Sequence, residues 1–534
     1  MSARQPRRAR ATLNTRACQC GGGPEGSPLD VKPDGEGLTL EQVAQVAREG
    51  ARVVLPQKAR RRMADSRRAL EGMLRAGETV YGANTGFGKL ADTRIEPEKT
   101  EELQRRLVLS HAAGLGEPLP AEVVRAAMLL RLNTFAKGHS AVRVALAETL
   151  VRMLNAPVTP YVHSIGSLGA SGDLAPLSEI ALLVQGRGLA MAEDGRAVDG
   201  RRALLGAGIE PLKLASREGL GLINGTQVMT AAGALALLDL EHLLKAELVT
   251  TAVVADALGA QRSAYDKRVF EARPHPGAVR SADALRRMLK GGDLDHSLPK
   301  SLQDAYSIRC APQIIGASLD AAAFARRTFE VELNSATDNP LMFPEDGEQV
   351  SGGNFHGEPV AQALDLLSIA IADLATLSER HTNRLLNPAL SGMPSFLASE
   401  PGLDSGLMMA QYTAAALVEE LRALARPATV DSASTSADQE DHVSLGMHSA
   451  LKARRGVELL RNVVAIELVS GIQALDFRAP KRPAAGVAEV YNLVRRIVPF
   501  YNDDRPLNDD LMRVTELLRI GEVVRVAEAR VGPL

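Results

Sequence analysis

Apolar residues recur at three- and four-residue steps along long stretches of this chain, and no other feature limits its fold as strongly. Leu237, Leu240, Leu244 and Leu248 form one stripe, Ala414, Leu417, Leu421 and Leu424 a second, and Leu460, Val464, Leu468 and Ile472 a third. No proline interrupts residues 212–273 or 428–479. Helices of that length, each with one apolar stripe, bury it against one another, so the expected fold is mainly α: an elongated bundle of long helices. The bundle is assigned to residues 236–534. Residues 36–235, where strand signals are short (157–162 is an example), read as a smaller, loop-rich N-terminal domain. T-L-E-Q at 39–42 has the side chains of a helix capping box, so order is expected to begin near Thr39. Residues 1–35 are Arg-rich, then Gly-rich, and hold too little apolar surface to offset the entropy of ordering; they read as a flexible tail.

Composition removes several function classes. Of 534 residues 45% are apolar, enough for a large core, and the net charge of −2 gives no basic stripe with which to neutralise phosphates. Nucleic acid is therefore not an expected partner. Residues 219–238, the longest uncharged stretch of spanning length, contain Asn224, Thr226, Gln227 and Thr230 among several glycines, so they are expected to be buried in protein and not in a membrane. Cys18, Cys20 and Cys310 are the only cysteines, an odd number that suits a reducing, cytoplasmic setting. No second ligand pair stands at zinc spacing from Cys18 and Cys20, there is no HExxH, and no metal is expected.

The segment that carries chemistry is G-S-L-G-A-S-G-D-L-A-P-L at 166–177. In an arbitrary protein a Gly/Ser-rich turn is a structural loop. This one is not a phosphate loop, because no Lys-Ser/Thr follows the glycines, and it is not a G-x-S-x-G nucleophile elbow. Ala170-Ser171-Gly172 permits something else. If a compressed turn drives the Gly172 nitrogen onto the Ala170 carbonyl carbon, the backbone can cyclise. Loss of water from the ring and from the Ser171 side chain then leaves an exocyclic methylidene. Gly172 adds no Cβ clash, Ala170 is small, and Ser171 supplies the hydroxyl that leaves.

That segment resembles the signature of the aromatic amino acid lyases, whose prosthetic group is 4-methylideneimidazole-5-one (MIO). The resemblance runs from about residue 36 through Y-G-A-N-T-G-F-G-K-L (81–90), L-V-L-S-H-A-A-G (107–114), L-I-N-G-T-Q (222–227), Q-D-A-Y-S-I-R-C (303–310), G-G-N-F-H-G-E-P (352–359) and Q-E-D-H-V-S (439–444). It implies that MIO forms from Ala170-Ser171-Gly172 with no external cofactor. It further implies that Tyr81 takes the β-proton, that Arg309 clamps the substrate carboxylate, and that Asn224, Gln303 and Tyr306 form a polar shell with Phe355 as a wall. A free phenol is a poor base at pH 7, so the site has to favour the Tyr81 phenolate, for which aligned helix N-termini are the expected device.

Ser110-His111 resembles the Ser-His pair of the histidine-specific members. An imidazole needs polar partners for both nitrogens, and His111 and Glu440 are the residues that offer them. The implied reaction is elimination of ammonia from histidine to give urocanate. The alternatives are a tyrosine lyase or an aromatic aminomutase. Glu179 stands where the histidine-specific members often carry His. The family also implies a homotetramer whose sites combine residues of several subunits.

Overall fold

The computed structural model describes residues 30–294 and 302–534. Among these, twenty α-helices stand beside six short strands, so the chain is mainly α. The strands pair two by two and antiparallel: Leu115–Pro118 with His163–Ile165, Leu189–Met191 with Ala197–Asp199, and Leu341–Phe343 with Glu348–Val350.

Five helices build the bundle: Gln227–Leu258, Ala311–Glu332, Glu358–Leu386, Met408–Leu424 and Gly446–Asp476. With 32 residues, the first is about 48 Å long at 1.5 Å per residue. The stripe residues on Gln227–Leu258 and Gly446–Asp476 are all buried; Ala414 and Leu421 are buried too, while Leu417 and Leu424 lie half-buried at the margin. Each fully buried leucine contributes about 1.5–3 kcal/mol. Gln227–Leu258 packs against Ala121–Ala136, Ala311–Glu332, Glu358–Leu386 and Gly446–Asp476 at once. A helix surrounded in this way is small and apolar over most of its length; the exception is its middle, where half-buried Asp239, Glu241 and Lys245 pair with Arg48, Arg326 and Glu528. Its neighbours come close: a Cβ on Gly233 would lie 2.6 Å from the Phe329 ring. Residues 219–237 are buried, as expected.

Two sequence expectations change. The capping box at Thr39 is present, with Thr39 Oγ1 accepting from Gln42 N–H at 3.2 Å and Gln42 Oε1 accepting from Thr39 N–H at 3.1 Å. Packing nevertheless starts ahead of it. Val31 is buried and pairs with Val53, and Gly35 N–H donates to Asn133 Oδ1 at 2.8 Å. Residues 30–35 thus belong to the fold because Val31 gives that polar segment an apolar anchor; residues 1–29, with Cys18 and Cys20, lie outside the described residues. The strand expected at 157–162 is found instead at His163–Ile165. Within 157–162 the pairing is reduced to one bridge, Pro160 with Ala190, flanked by hydrogen bonds from Tyr161 N–H to Leu189 O at 2.9 Å and from Met191 N–H to Thr159 O at 2.8 Å; Pro157 and Pro160 have no N–H to lengthen the ladder. Finally, the division at residue 235 falls inside Gln227–Leu258, and one hydrophobic core draws on both sides of it. It is kept as a proposed division between site-bearing loops and long helices.

Candidate active site

Gly172 adopts φ +77°, and a Cβ built on it would sit 2.2 Å from the Gly225 oxygen. Only glycine fits there. The next residue, Asp173, donates its N–H to the same Gly225 oxygen at 2.7 Å. Its buried carboxylate accepts from the N–H groups of Val228 and Met229, each at 2.8 Å, and from the Ser167 hydroxyl at 2.7 Å. Those two amides belong to the first turn of Gln227–Leu258 and have no partner within the helix. Asp173 satisfies them from another segment, which pins the tripeptide to the end of the longest helix.

Burial pushes the Asp173 carboxyl up from 3.8 to about 6, against the pull of the Met229 N–H, the Ser167 hydroxyl and the Val228 N–H. Between those two values the folded chain binds more protons than the unfolded one. Stability is therefore fully present below about pH 4 and is lost as pH rises through about 6, by about 3 kcal/mol in all. Asp173→Asn keeps the shape and removes the titration. In urea unfolding, the stability difference between wild type and variant is expected to change by that amount between about pH 4 and pH 7; a constant difference would rule out Asp173 as the titrating group.

Helix starts converge on the same loop. Leu174–Val184 begins directly after Asp173, and Gln227–Leu258 begins behind Gly225. Gly357, which precedes Glu358–Leu386, donates its N–H to Gly169 O at 3.2 Å; Leu445, which precedes Gly446–Asp476, donates to Leu168 O at 2.8 Å. Four positive helix ends thus face one loop and make it electron-withdrawing. The sequence led us to expect such ends beside the base; they surround the tripeptide instead.

A cavity of about 690 Å³ opens over Ser171, and Tyr81, Ser110, His111, Asn224 and Glu440 line it together with Phe87, Leu107 and Leu174. Ser171 Oγ donates to Glu440 Oε1 at 2.5 Å, and the other Glu440 oxygen accepts from Thr435 Oγ1 at 3.1 Å. Asn224 Nδ2 donates to Ser171 O at 2.9 Å. The Tyr81 hydroxyl oxygen accepts from Gly88 N–H at 3.1 Å, and Phe87 stands edge-on to the Tyr81 ring, with centroids 6.3 Å apart. His111 Nδ1 lies 2.8 Å from Leu107 O and 3.0 Å from Ser110 Oγ. A carbonyl only accepts, so Nδ1 carries a proton, and Nε2 is the ring nitrogen left to face a ligand.

Gln303, Tyr306, Arg309 and Phe355 do not line this cavity. Gln303 and Tyr306 are exposed. Arg309 stacks its guanidinium 4.6 Å from the Tyr306 ring centroid, and its buried Nε has no partner among the described residues. Phe355, half-buried, sits just ahead of the Gly357 N–H that clamps the loop. Sequence reasoning missed the role of Asp173, although an acid directly after a glycine turn, ahead of an apolar helix, was a signal for it. Glu179 does not reach the cavity wall: it accepts from His163 N–H at 2.7 Å and lies 2.6 Å from His163 Nδ1, a local pairing that accounts for a carboxylate there.

Comparison with known proteins gives a consistent answer. The family model described as aromatic amino acid lyase matches residues 38–496. A histidine ammonia-lyase of Anaeromyxobacter sp. (strain K) is 50% identical, over 90% of this chain and 97% of its own. The crystal structure of histidine ammonia-lyase from Trypanosoma cruzi superposes with a TM-score of 0.88 at 41% identity, covering 94% of this chain and 96% of that one. A tyrosine aminomutase from Streptomyces globisporus superposes with a TM-score of 0.90 at 38% identity, covering 95% and 99%.

Proposed function

The chain belongs to the aromatic amino acid lyase family, and from that premise we propose that it is an ammonia-lyase acting on L-histidine, releasing ammonia and trans-urocanate. The observation that carries the substrate is the cavity wall: His111, with Nδ1 committed to Leu107 O, and Glu440 offer polar partners to an imidazole above Ser171. A phenylalanine ring would leave those groups unsatisfied. The histidine ammonia-lyase at 50% identity supports the same reading.

Ala170-Ser171-Gly172 suits ring closure to MIO. Gly225 leaves room for no side chain on Gly172, Asn224 holds the Ser171 carbonyl, and Glu440 is bonded to the hydroxyl that has to leave. Once formed, MIO would supply an electrophilic methylidene carbon for the substrate's α-amino nitrogen. Tyr81, with Gly88 N–H on its oxygen, is proposed to take the β-proton. His111 and Glu440 orient the imidazole, and Asn224 stays on the polar side of the loop. Arg309 is proposed to hold the carboxylate in a two-oxygen clamp that fixes the Cβ–H direction, with Gln303 and Tyr306 beside it and Phe355 as the wall. Because those four residues stand apart from the cavity of their own chain, we propose that neighbouring subunits of a homotetramer supply them. No external cofactor, metal, nucleic acid or membrane partner enters this reading. Cysteine usage supports a reducing, cytoplasmic setting, and Cys310, the one described cysteine, is unpaired.

The likeness to a tyrosine aminomutase keeps one rival specific. Incubation with L-histidine and with L-tyrosine, followed by product identification, separates the two. Urocanate and stoichiometric ammonia from histidine are expected. A β-amino acid formed without free ammonia would overturn the proposal.

A further inference from the structure

The single-turn helix Tyr306–Arg309 is joined through Cys310 to Ala311–Glu332, and Pro312, four residues after Ile308, has no N–H to continue the ladder across the junction. Such a turn leaves its last carbonyls without helical partners. Two of them are met by side chains of distant segments. Buried Tyr265 donates its hydroxyl to Ile308 O at 3.0 Å, and His381, from Glu358–Leu386, lies with Nε2 at 2.7 Å from Ser307 O. Ser307 O can only accept, so Nε2 carries a proton.

What fixes that tautomer lies deeper in the bundle. His381 Nδ1 is 2.7 Å from Glu467 Oε1, and Glu247 stands beside the pair; all three side chains are buried. Burial pushes the Glu467 carboxyl up to about 8, raises that of Glu247 well above its ordinary value, and lowers His381. Nδ1 and Glu467 Oε1 share one hydrogen bond, which holds the ring with Nε2–H aimed at Ser307 O. Two carboxylates and a histidine within reach of one another also suggest a cation site, but both ring nitrogens are already committed, so no ligand atom of His381 is left for a metal.

We propose that His381, oriented by Glu467, and Tyr265 are positioning residues for the substrate-carboxylate clamp: they tether the Ser307 and Ile308 carbonyls and so hold Arg309 and Tyr306 in place. This rests on the role proposed for Arg309. Without the tether a one-turn helix frays, and Arg309, whose stacking on Tyr306 keeps its guanidinium presented, samples other positions. Ground-state binding of the substrate carboxylate suffers first, so KM rises more than kcat falls.

Two polar substitutions that both suit a buried site separate tethering from mere packing. The shorter side-chain amide introduced by H381N overlies Nδ1 and still meets Glu467 but cannot reach Ser307; the longer amide of H381Q overlies Nε2 and restores the donor. Steady-state kinetics on L-histidine and amide hydrogen exchange across residues 302–312 are the readouts. H381N is expected to raise KM about tenfold, as loss of one hydrogen bond implies, with kcat changed less than about threefold, and to speed exchange in the turn. H381Q should match wild type in both, and Tyr265→Phe should shift both as H381N does. Equal KM and exchange in H381N and wild type would overturn the proposal, as would an H381Q as impaired as H381N. The exchange readout needs no substrate, so it tests the tether even if product analysis removes histidine as the substrate; Arg309→Met with unchanged KM would remove the clamp alone.

Discussion

Ser171→Ala is expected to lower turnover of L-histidine on the order of 10⁴-fold or more, the scale seen when the group that makes the covalent bond is removed from an enzyme. Alanine has no hydroxyl to lose, so no methylidene can form even if the backbone closes. The substitution is mild for the fold. Asn224 bonds the Ser171 carbonyl and not its side chain, and Glu440 retains Thr435. Far-ultraviolet circular dichroism and melting temperature should therefore stay close to wild type, which assigns the loss to chemistry. Intact mass supplies a second, independent check. The mature wild-type chain is expected to be two waters lighter than its encoded sequence, and the variant not. Turnover retained by the variant, or an active wild-type chain at its full encoded mass, would remove the proposed electrophile and the roles built on it.

The parts of this molecule that were legible in the sequence are those set by local pattern. Stripes such as Leu460, Val464, Leu468 and Ile472 give a long buried helix because a period of 3.6 residues with nothing to break it has one packing solution. The capping box at Thr39 formed because its partners are three residues apart. Gly172 was singled out for its lack of a Cβ, and the observed contact with Gly225 gives the reason. What was not legible depends on distant segments meeting. Nothing near 166–177 announces that the starts of Glu358–Leu386 and Gly446–Asp476 donate to Gly169 and Leu168, or that Asp173 caps a helix begun some fifty residues later. Motifs likewise name Tyr81 and Arg309 together but do not say that one lines the cavity of its own chain and the other does not. The strand expected at 157–162 shrinks to one bridge for a local reason: Pro157 and Pro160 have no N–H to lengthen a ladder.

Tyr81→Phe carries the second large effect. The substitution preserves the ring, and with it the edge-on contact to Phe87 and the cavity wall, but removes the oxygen that accepts from Gly88 N–H. If Tyr81 is the base, the β-proton has no acceptor. A general base is worth about 10²–10⁴-fold, so kcat should fall by that factor. KM should move little, because the carboxylate and imidazole contacts lie on other residues. A structural tyrosine would behave otherwise: losing one hydrogen bond costs about 1 kcal/mol of stability and would lower the melting temperature without a comparable loss of rate. Measuring kcat and melting temperature on the same preparation separates these cases. The intact mass of Y81F should still be two waters below the encoded value, since Tyr81 is not placed on the Ser171 hydroxyl, whereas Glu440 is. A fall in kcat smaller than about tenfold, with the mass loss intact, would transfer the role of base to another titratable group in the cavity wall, Glu440 or His111.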